Sequence, residues 1–142
     1  MLGNRVNKNS AAFVGGEYMK IYIAGQYLPK TNINNAQHNI HEVIRLTNLN
    51  VRKAIQTGII LMKKGHFVYI PHLTHFVHIE SDIEFPQQYW YKTDIEWLKL
   101  CDAIFMLPGW EYSTGARKEK EIAEQLKLKV YYSEEEIESL SE

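Results

Sequence analysis

The 142-residue sequence contains one cysteine, four prolines and no long apolar run. A single cysteine, Cys101, excludes an internal disulfide, which fits a reducing compartment. No apolar stretch approaches the roughly 18–20 residues of a membrane-spanning helix, and the N-terminus lacks the pattern of a signal peptide. We therefore expect a cytoplasmic protein without a membrane partner.

An excess of charge of one sign is also absent, because the formal net charge is −1. Nucleic-acid polymers are bound by basic surfaces, so no polymer partner is expected. With 45% hydrophobic residues, 142 residues suffice for one domain with a core and are too few for two. Residues 1–18, rich in Asn, Gly, Ser and Lys, are predicted to be a flexible arm or leader, and residues 19–142 the folded domain.

Strand and helix patterns alternate in the folded part. Strands are predicted over Lys20–Ala24, Phe67–Ile70, Ala103–Leu107 and Leu128–Tyr132. Helices are predicted from the N-cap Asn50 to Lys64, over Gln87–Leu100 and over Thr114–Leu126. The segments 26–48 and 71–87 are predicted to be long loops, the first with a short helix in it, and Ser133 with Glu136 to form a capping box. This alternation predicts an α/β fold whose parallel sheet is covered on both faces.

Two carboxylates fall on helix faces that otherwise point inward. Glu119 follows Ala116 by three residues and precedes Ala123 by four, and Asp94 follows Tyr91 by three. An unpaired buried carboxylate is costly, so these positions need an explanation. One alternative is that both acids lie at the rim and pair with Lys or Arg. The other is paired-carboxylate chemistry at a sugar anomeric carbon, in which the amides at the helix start keep Glu119 ionised.

Polar residues gather where the predicted strands end, which is where ligands bind in parallel sheets. Ser113 and Gly115 open a helix whose backbone amides could hold an anion. Trp110 either packs beneath this turn or stacks over a base, and His72 is a candidate contact for a base or phosphate. His72, His75 and His78 recur every three residues, but no acid or cysteine follows at the spacing of a zinc site, so no metal is expected.

Three motifs together carry a resemblance to a known family: Ile21–Gly25, Asp94–Leu98 and Ser113–Glu119. On these residues the sequence resembles the nucleoside 2-deoxyribosyltransferase superfamily, most closely the domain of unknown function 4406 family and the 2′-deoxynucleoside 5′-monophosphate N-hydrolases. The resemblance covers most of residues 19–132. It implies a flavodoxin-like or Rossmann-like sheet of four to five parallel strands, a homodimer or larger homo-oligomer, and no cofactor.

The resemblance also implies roles for individual residues. Glu119 would attack C1′ of the sugar, Tyr22 would orient that glutamate, and Asp94 would touch the sugar and assist proton transfer to the base. Ser113 and Gly115 would bind the 5′-phosphate.

The segment after the first strand departs from the relatives. Gly25 and Gln26 are assigned to the same substrate site. Hydrolase relatives often have a Ser and an Arg after this glycine, where the present chain has Gln26 and Tyr27, so phosphate dependence stays open.

These observations favour an N-glycosidase that cleaves a nucleoside or nucleoside 5′-monophosphate through a glutamate nucleophile, with a small nucleoside or nucleotide as partner. The alternatives are a nucleoside deoxyribosyltransferase, a non-catalytic nucleotide-binding or sensing module, and a purely structural oligomer. The sequence leaves open the base, the sugar, and whether water or a second base is the acceptor.

Overall fold

The structure, a computed structural model, describes residues 17–29 and 36–140. The predicted arm over residues 1–18 lies outside these ranges except for Glu17 and Tyr18. Along the described residues four strands alternate with helices, in the order β1 (Lys20–Ala24), α1 (Ala36–Lys63), β2 (Phe67–Tyr69), α2 (Thr74–Glu80), α3 (Gln87–Leu98), β3 (Ala103–Met106), α4 (Thr114–Gln125) and β4 (Lys129–Tyr131). Short 3₁₀ turns cover Pro71–Leu73, Trp110–Tyr112 and Glu134–Glu136.

The four strands form one sheet in the order β2-β1-β3-β4, and every pairing is parallel. This confirms the predicted α/β class with a four-stranded parallel sheet. The chain moves outward from β1 in both directions, so the strand order reverses between β1 and β3. In such sheets the crevice at the carboxyl ends of these two strands is the usual place for a ligand.

Strand β1 supplies both layers of the core, because alternate side chains point to opposite faces of the sheet. Ile21 and Ile23 pack against α1, whereas Tyr22 and Ala24 pack in the layer formed with α3 and α4. All four side chains are fully buried. A strand buried on both faces is normally apolar throughout. The hydroxyl of Tyr22 is therefore the exception, and it lies on the α3–α4 side.

Helix α1 begins at Ala36, so the prediction of a helix start at Asn50 is wrong. Asn50 lies inside the helix and donates its side-chain N–H to the carbonyl oxygen of Tyr27 at 3.1 Å. The early turns expose Ile40 and Ile44, so the sequence there lacks the buried apolar stripe on which the prediction depended. With 28 residues α1 has the length to cross a bilayer, but no helix in the described residues is apolar enough to do so.

The segment predicted as a loop over residues 71–87 contains the turn Pro71–Leu73 and helix α2, so that prediction is wrong over its first half. Helix α2 buries none of its residues. A helix without a buried face has no apolar periodicity to reveal it. The prediction that Tyr91 faces inward is also wrong, because this side chain is 39% exposed. The Ser133–Glu136 capping box is confirmed.

Candidate active site

The central contact of the site joins Tyr22 on β1 to Glu119 on α4. The Tyr22 hydroxyl donates a hydrogen bond to Oε2 of Glu119. Ala116 and Ala123, on either side of Glu119 along the inner face of α4, are both buried and hold this face against the sheet. Burial, together with the nearby Glu119 and Asp94 carboxylates, raises the pKa of Tyr22 well above its usual value. The tyrosine therefore remains a protonated hydrogen-bond donor.

Asp94 on α3 belongs to the same group of side chains. Burial raises its pKa to about 6. Its Oδ1 atom is buried without a hydrogen-bond partner among the described residues. Within residues 17–29 and 36–140, the ion pairs join other side chains, and neither Asp94 nor Glu119 takes part in one. The described residues therefore do not form the first alternative, in which both acids pair with Lys or Arg.

The pKa of Glu119 is raised to about 8. Burial is the largest cause and the charge of Asp94 adds to it, whereas the hydrogen bond from Tyr22 acts in the opposite direction. The prediction that the helix start keeps this glutamate ionised is wrong. Helix α4 begins at Thr114, so Glu119 lies beyond its first turn, where the effect of the helix dipole has faded. The two coupled acids therefore titrate as a pair that holds one proton near neutral pH.

A row of aromatic rings leads from this pair to the surface. The ring centroids of Tyr22 and Tyr69 are 5.6 Å apart, and Tyr69 stacks on Trp97 at 5.4 Å. Burial first, and then the charge of Asp94, raises the pKa of Tyr69 to about 12. Sequence reasoning missed Tyr69. The signal that could have revealed it is the register of the parallel strands, in which Tyr69 lies beside Tyr22.

Ser113 and Gly115 lie together at the start of α4. Ser113 is the N-cap residue, and its Oγ accepts a hydrogen bond from the backbone N–H of Ala116 at 3.1 Å. Among the described residues the Ser113 hydroxyl donates to no acceptor, so its proton is available to a ligand. A Cβ atom added to Gly115 would meet only Ser113 Oγ, at 3.9 Å, so there is open space beside this glycine. A phosphate-binding role for both residues stays a prediction.

The other residues assigned to the substrate site make contacts within the protein. A Cβ atom on Gly25 would lie 2.7 Å from Cδ1 of Leu107, so the ends of β1 and β3 pack closely because this position is a glycine. Trp110 packs against the α3–α4 layer, and its ring lies 6.1 Å from the ring of Tyr132. This geometry fits the packing alternative for Trp110. Gln26 lines a cavity at the carboxyl ends of β1 and β3.

The three regularly spaced histidines hold the segment that follows β1. The ring of His72, which is 4% exposed, contacts the carbonyl oxygen of Gln26 through Nε2 at 3.1 Å. His75 contacts the hydroxyl of Tyr27 through Nδ1 at 2.7 Å, and the ring of His78 stacks on Tyr27 at 6.1 Å. Burial lowers the pKa of His72, which favours the neutral form of its ring. In the part of the chain that the structure describes, no group of three or more metal-ligating side chains comes together.

Cavities lie at both ends of the sheet in the described part of the chain. One of about 340 Å³ lies between α1 and the ends of β1 and β3, where it is lined by Gln26, Lys53, Leu107 and Pro108 among others. The other, of about 480 Å³, lies at the amino-terminal end of the sheet and is lined by residues that include His66 and Asp102. Neither cavity is lined by Asp94 or Glu119, so neither marks where a substrate would meet these acids.

The fold is a four-stranded parallel sheet with helices on both faces. Beside its buried Tyr22 lie two acids, Asp94 and Glu119, that form no ion pair within the described residues. These features define a parallel α/β protein with a candidate carboxylate-pair site. The chain belongs to the domain of unknown function family DUF4406, whose family model matches residues 46–132. The match includes Asp94, Ser113 and Glu119 and begins after Tyr22. None of the curated proteins matches the chain.

Among solved structures, the chain is similar to a 2-deoxyribosyltransferase from the psychrotolerant bacterium Bacillus psychrosaccharolyticus. The identity is 28%, and the TM-score is 0.45. The similarity covers 78% of this chain and 69% of the other.

Proposed function

We propose that the protein is an N-glycosidase that cleaves the bond between base and sugar in a nucleoside or nucleoside 5′-monophosphate. The observation that carries this proposal is the hydrogen bond from Tyr22 to Glu119 near Asp94, whose Oδ1 atom has no partner among the described residues. Paired carboxylates of this kind serve glycosidic cleavage when one is a nucleophile and the other transfers protons. The nucleoside as substrate class rests on the three sequence motifs and their resemblance to the deoxyribosyltransferase superfamily.

In the first step, an oxygen of ionised Glu119 attacks C1′ and forms an ester bond to the sugar. The bond between C1′ and the base nitrogen breaks, and its electron pair leaves with the base. Protonated Asp94 gives its proton to the departing base. In the second step water attacks C1′, Asp94 accepts a proton from the water, and Glu119 is released. Atoms and charges balance over the two steps, and both acids return to their starting state.

The number of protons that the two acids hold near neutral pH fits this order of steps. The first step needs one proton on the two acids, and the pair holds one between the pKa of Asp94, about 6, and that of Glu119, about 8. The Tyr22 hydroxyl favours the ionised form of Glu119, and so it supports transfer of the proton to Asp94.

Substrate binding is assigned to residues around the ends of β1 and β3. Ser113 and Gly115 would hold the 5′-phosphate at the start of α4. Gly25, Gln26, His72 and Trp110 would act in the same region, with His72 supporting the backbone of Gln26 rather than facing solvent. We further propose a cytoplasmic homodimer or larger homo-oligomer, without a cofactor.

The test is release of free base from a panel of nucleosides and nucleoside 5′-monophosphates, followed by chromatography. We expect release by the wild-type protein and a loss of at least about 10³-fold in Glu119→Gln, because the nucleophile is gone. Glu121→Gln is the matched control, since Glu121 is exposed on the same helix. Mass spectrometry of the quenched reaction would show the sugar ester on Glu119. Equal release by wild type and Glu119→Gln would refute the proposal.

Adding a second base to the same assay separates a hydrolase from a transferase. A hydrolase yields free sugar or sugar phosphate whatever bases are present. A deoxyribosyltransferase yields the nucleoside of the second base, because that base takes the place of water at C1′. Both reactions use the same glycosyl ester on Glu119, so this assay refines the proposal.

A non-catalytic nucleotide-binding module is the second candidate. It is favoured by the raised pKa of Glu119, since a glutamate protonated at neutral pH is a poor nucleophile. Such a module would bind nucleotides, release no base, and retain its affinity in Glu119→Gln. Isothermal titration of both proteins with the substrate panel therefore distinguishes the two candidates.

A further inference from the structure

The indole of Trp90 is a buried hydrogen-bond donor that the fold does not use. Its Nε1 atom is buried, and among the described residues it has no acceptor. Buried polar atoms in proteins nearly always have a partner, which can be a ligand or an ordered water. The position of Trp90 in the fold shows which groups lie nearby.

Three rings hold this indole in place. His78 meets it at 4.6 Å between ring centroids, Tyr89 at 5.2 Å and Phe85 at 5.6 Å. The ring of His78 stacks in turn on Tyr27, in the segment that follows β1. These contacts restrict the position of the indole and link it, through His78 on α2, to the segment that follows β1.

Asp94 lies four residues further along α3, and residues at this spacing share one face of a helix. Its Oδ1 atom is a buried acceptor that is likewise without a partner in the described part of the chain. One helix face thus presents an unused donor and an unused acceptor one turn apart. A hydroxyl group can satisfy both, because it accepts one hydrogen bond and donates another.

We propose that Trp90 is a substrate-binding residue whose indole N–H donates a hydrogen bond to a sugar hydroxyl that itself donates to Asp94. The inference rests on the proposed function, since it is the sugar bound at Glu119 that would carry this hydroxyl. The inference makes Trp90 a determinant of substrate specificity. A sugar that lacks this hydroxyl leaves both Trp90 Nε1 and Asp94 Oδ1 without partners. A site whose buried polar groups stay unpaired binds such a ligand poorly.

The first experiment observes the indole directly by ¹⁵N–¹H correlation spectroscopy. The protein has three tryptophans, and the Trp90 signal is the one that disappears in Trp90→Phe. Glu119→Gln protein, which prevents turnover, is titrated with a ribonucleoside and its 2′-deoxy, 3′-deoxy and 5′-deoxy analogues carrying the same base. We expect the Trp90 N–H signal to shift with every ligand that has the recognised hydroxyl and to stay in place with the one analogue that lacks it.

The second experiment uses base release by protein with an intact Glu119. Trp90→Phe keeps an aromatic ring against His78 and removes only the donor, and we expect it to weaken kcat/KM for the hydroxyl-bearing substrate about 10-fold. The same change should leave kcat/KM for the analogue without that hydroxyl within about twofold, as expected for coupled partners. Tyr89→Phe is the control, because it changes an exposed neighbour of the same ring. Circular dichroism and Tm would establish that both variants are folded.

The outcomes for the inference and for the proposed function are separate. A selective Trp90 shift without base release supports the hydroxyl contact and refutes the enzyme. Base release that Trp90→Phe slows equally for all analogues refutes the hydroxyl contact and leaves the enzyme intact. An indole signal that is unmoved by every analogue at saturating or millimolar concentration also refutes the contact, since the N–H would then be satisfied by water.

Discussion

At the amino-terminal end of the sheet, His66 and Asp102 are each 5% exposed, about as buried as His72 at the opposite end. The backbone provides their partners. Nδ1 of His66 accepts from the N–H of Met19 at 3.0 Å, its Nε2 contacts the carbonyl oxygen of Glu138 at 2.7 Å, and Asp102 accepts from the N–H of Lys20 at 2.9 Å. His66 ties the residue before β1 to the C-terminal segment, and Asp102 ties the start of β1 to the residue before β3, so their burial serves the fold.

Around the carboxyl ends of the strands, by contrast, buried polar groups lack some of their hydrogen-bond partners among the described residues. Asp94, Trp90 and His72 each have a buried polar atom without a partner among the described residues. Glu119 and Asp94 both have raised pKa values because burial is not compensated by a cation. Incomplete pairing costs stability, and proteins retain it mainly where a ligand completes the set. The contrast therefore separates a structural end of the sheet from the end at which we propose the active site.

The largest effect that would test this contrast is expected from Asp94→Asn. For the wild type we predict a bell-shaped pH profile of kcat/KM, with limbs at about 6 and about 8, because the acid pair must hold one proton. The variant cannot protonate the leaving base, so its kcat/KM should fall by about 10²–10⁴. Its profile should show one rising limb below 8, because burial still raises the pKa of Glu119 but the smaller contribution of the Asp94 charge is gone. A bell-shaped profile in Asp94→Asn that equals the wild-type profile would contradict the assignment of Asp94 as the proton donor.

His66→Ala tests the structural end. The variant leaves the N–H of Met19 and the carbonyl oxygen of Glu138 without their partner. We expect the free energy of unfolding to fall by about 2–3 kcal/mol, as measured by urea titration, while kcat/KM of the folded protein is unchanged. His41→Ala is the control, because His41 is exposed on α1. A change in kcat/KM with little change in stability would reverse the roles of the two ends.

Glu119→Gln should stabilise the protein while it abolishes activity. The pKa of Glu119 in the folded state, about 8, is above its value in the unfolded chain. Stability from the neutral carboxyl is therefore complete at low pH and is lost as the pH rises through about 8. The uncharged amide of the variant avoids the free-energy cost of ionising a buried group. We therefore expect the free energy of unfolding to rise by about 1–2 kcal/mol near pH 9 and not to change near pH 4. Thermal unfolding at the two pH values, beside Glu121→Gln, measures it.

A helix or strand of this fold could be predicted from the sequence when one of its faces is buried. The four strands and helix α4 were predicted to within two residues, because their apolar residues recur with the period of a buried strand or a one-sided helix. Helix α2 was missed, and the early turns of α1 were predicted only as a short helix within a loop, because both expose apolar residues such as Phe76 and Ile44. Periodicity also does not report tertiary contacts such as that of His75 on α2 with Tyr27.

The candidate site was predictable in part for a related reason. Glu119 and Asp94 were identified because acids on inward faces conflict with burial, and the resemblance supplied Tyr22 as their companion. Tyr69 and Trp90 carried no such conflict, since aromatic residues are common in cores. Their relation to the site depends on strand register and on the packing of three rings, which only coordinates reveal.

The smallest expected effect concerns whether the start of α4 belongs to the functional end. Gly115→Ala adds a methyl group that meets only Ser113 Oγ at 3.9 Å, so the fold can accept it. Alanine is the better helix former, and we expect stability to rise by about 0.5 kcal/mol. If a phosphate contacts the backbone here, KM for a nucleoside 5′-monophosphate should rise about threefold to tenfold, whereas KM for the nucleoside should not change. An equal rise for both substrates would place the methyl group against the sugar. No rise for either would remove the start of α4 from the functional end of the sheet, leaving Ser113 as a helix cap that serves stability in the way His66 does.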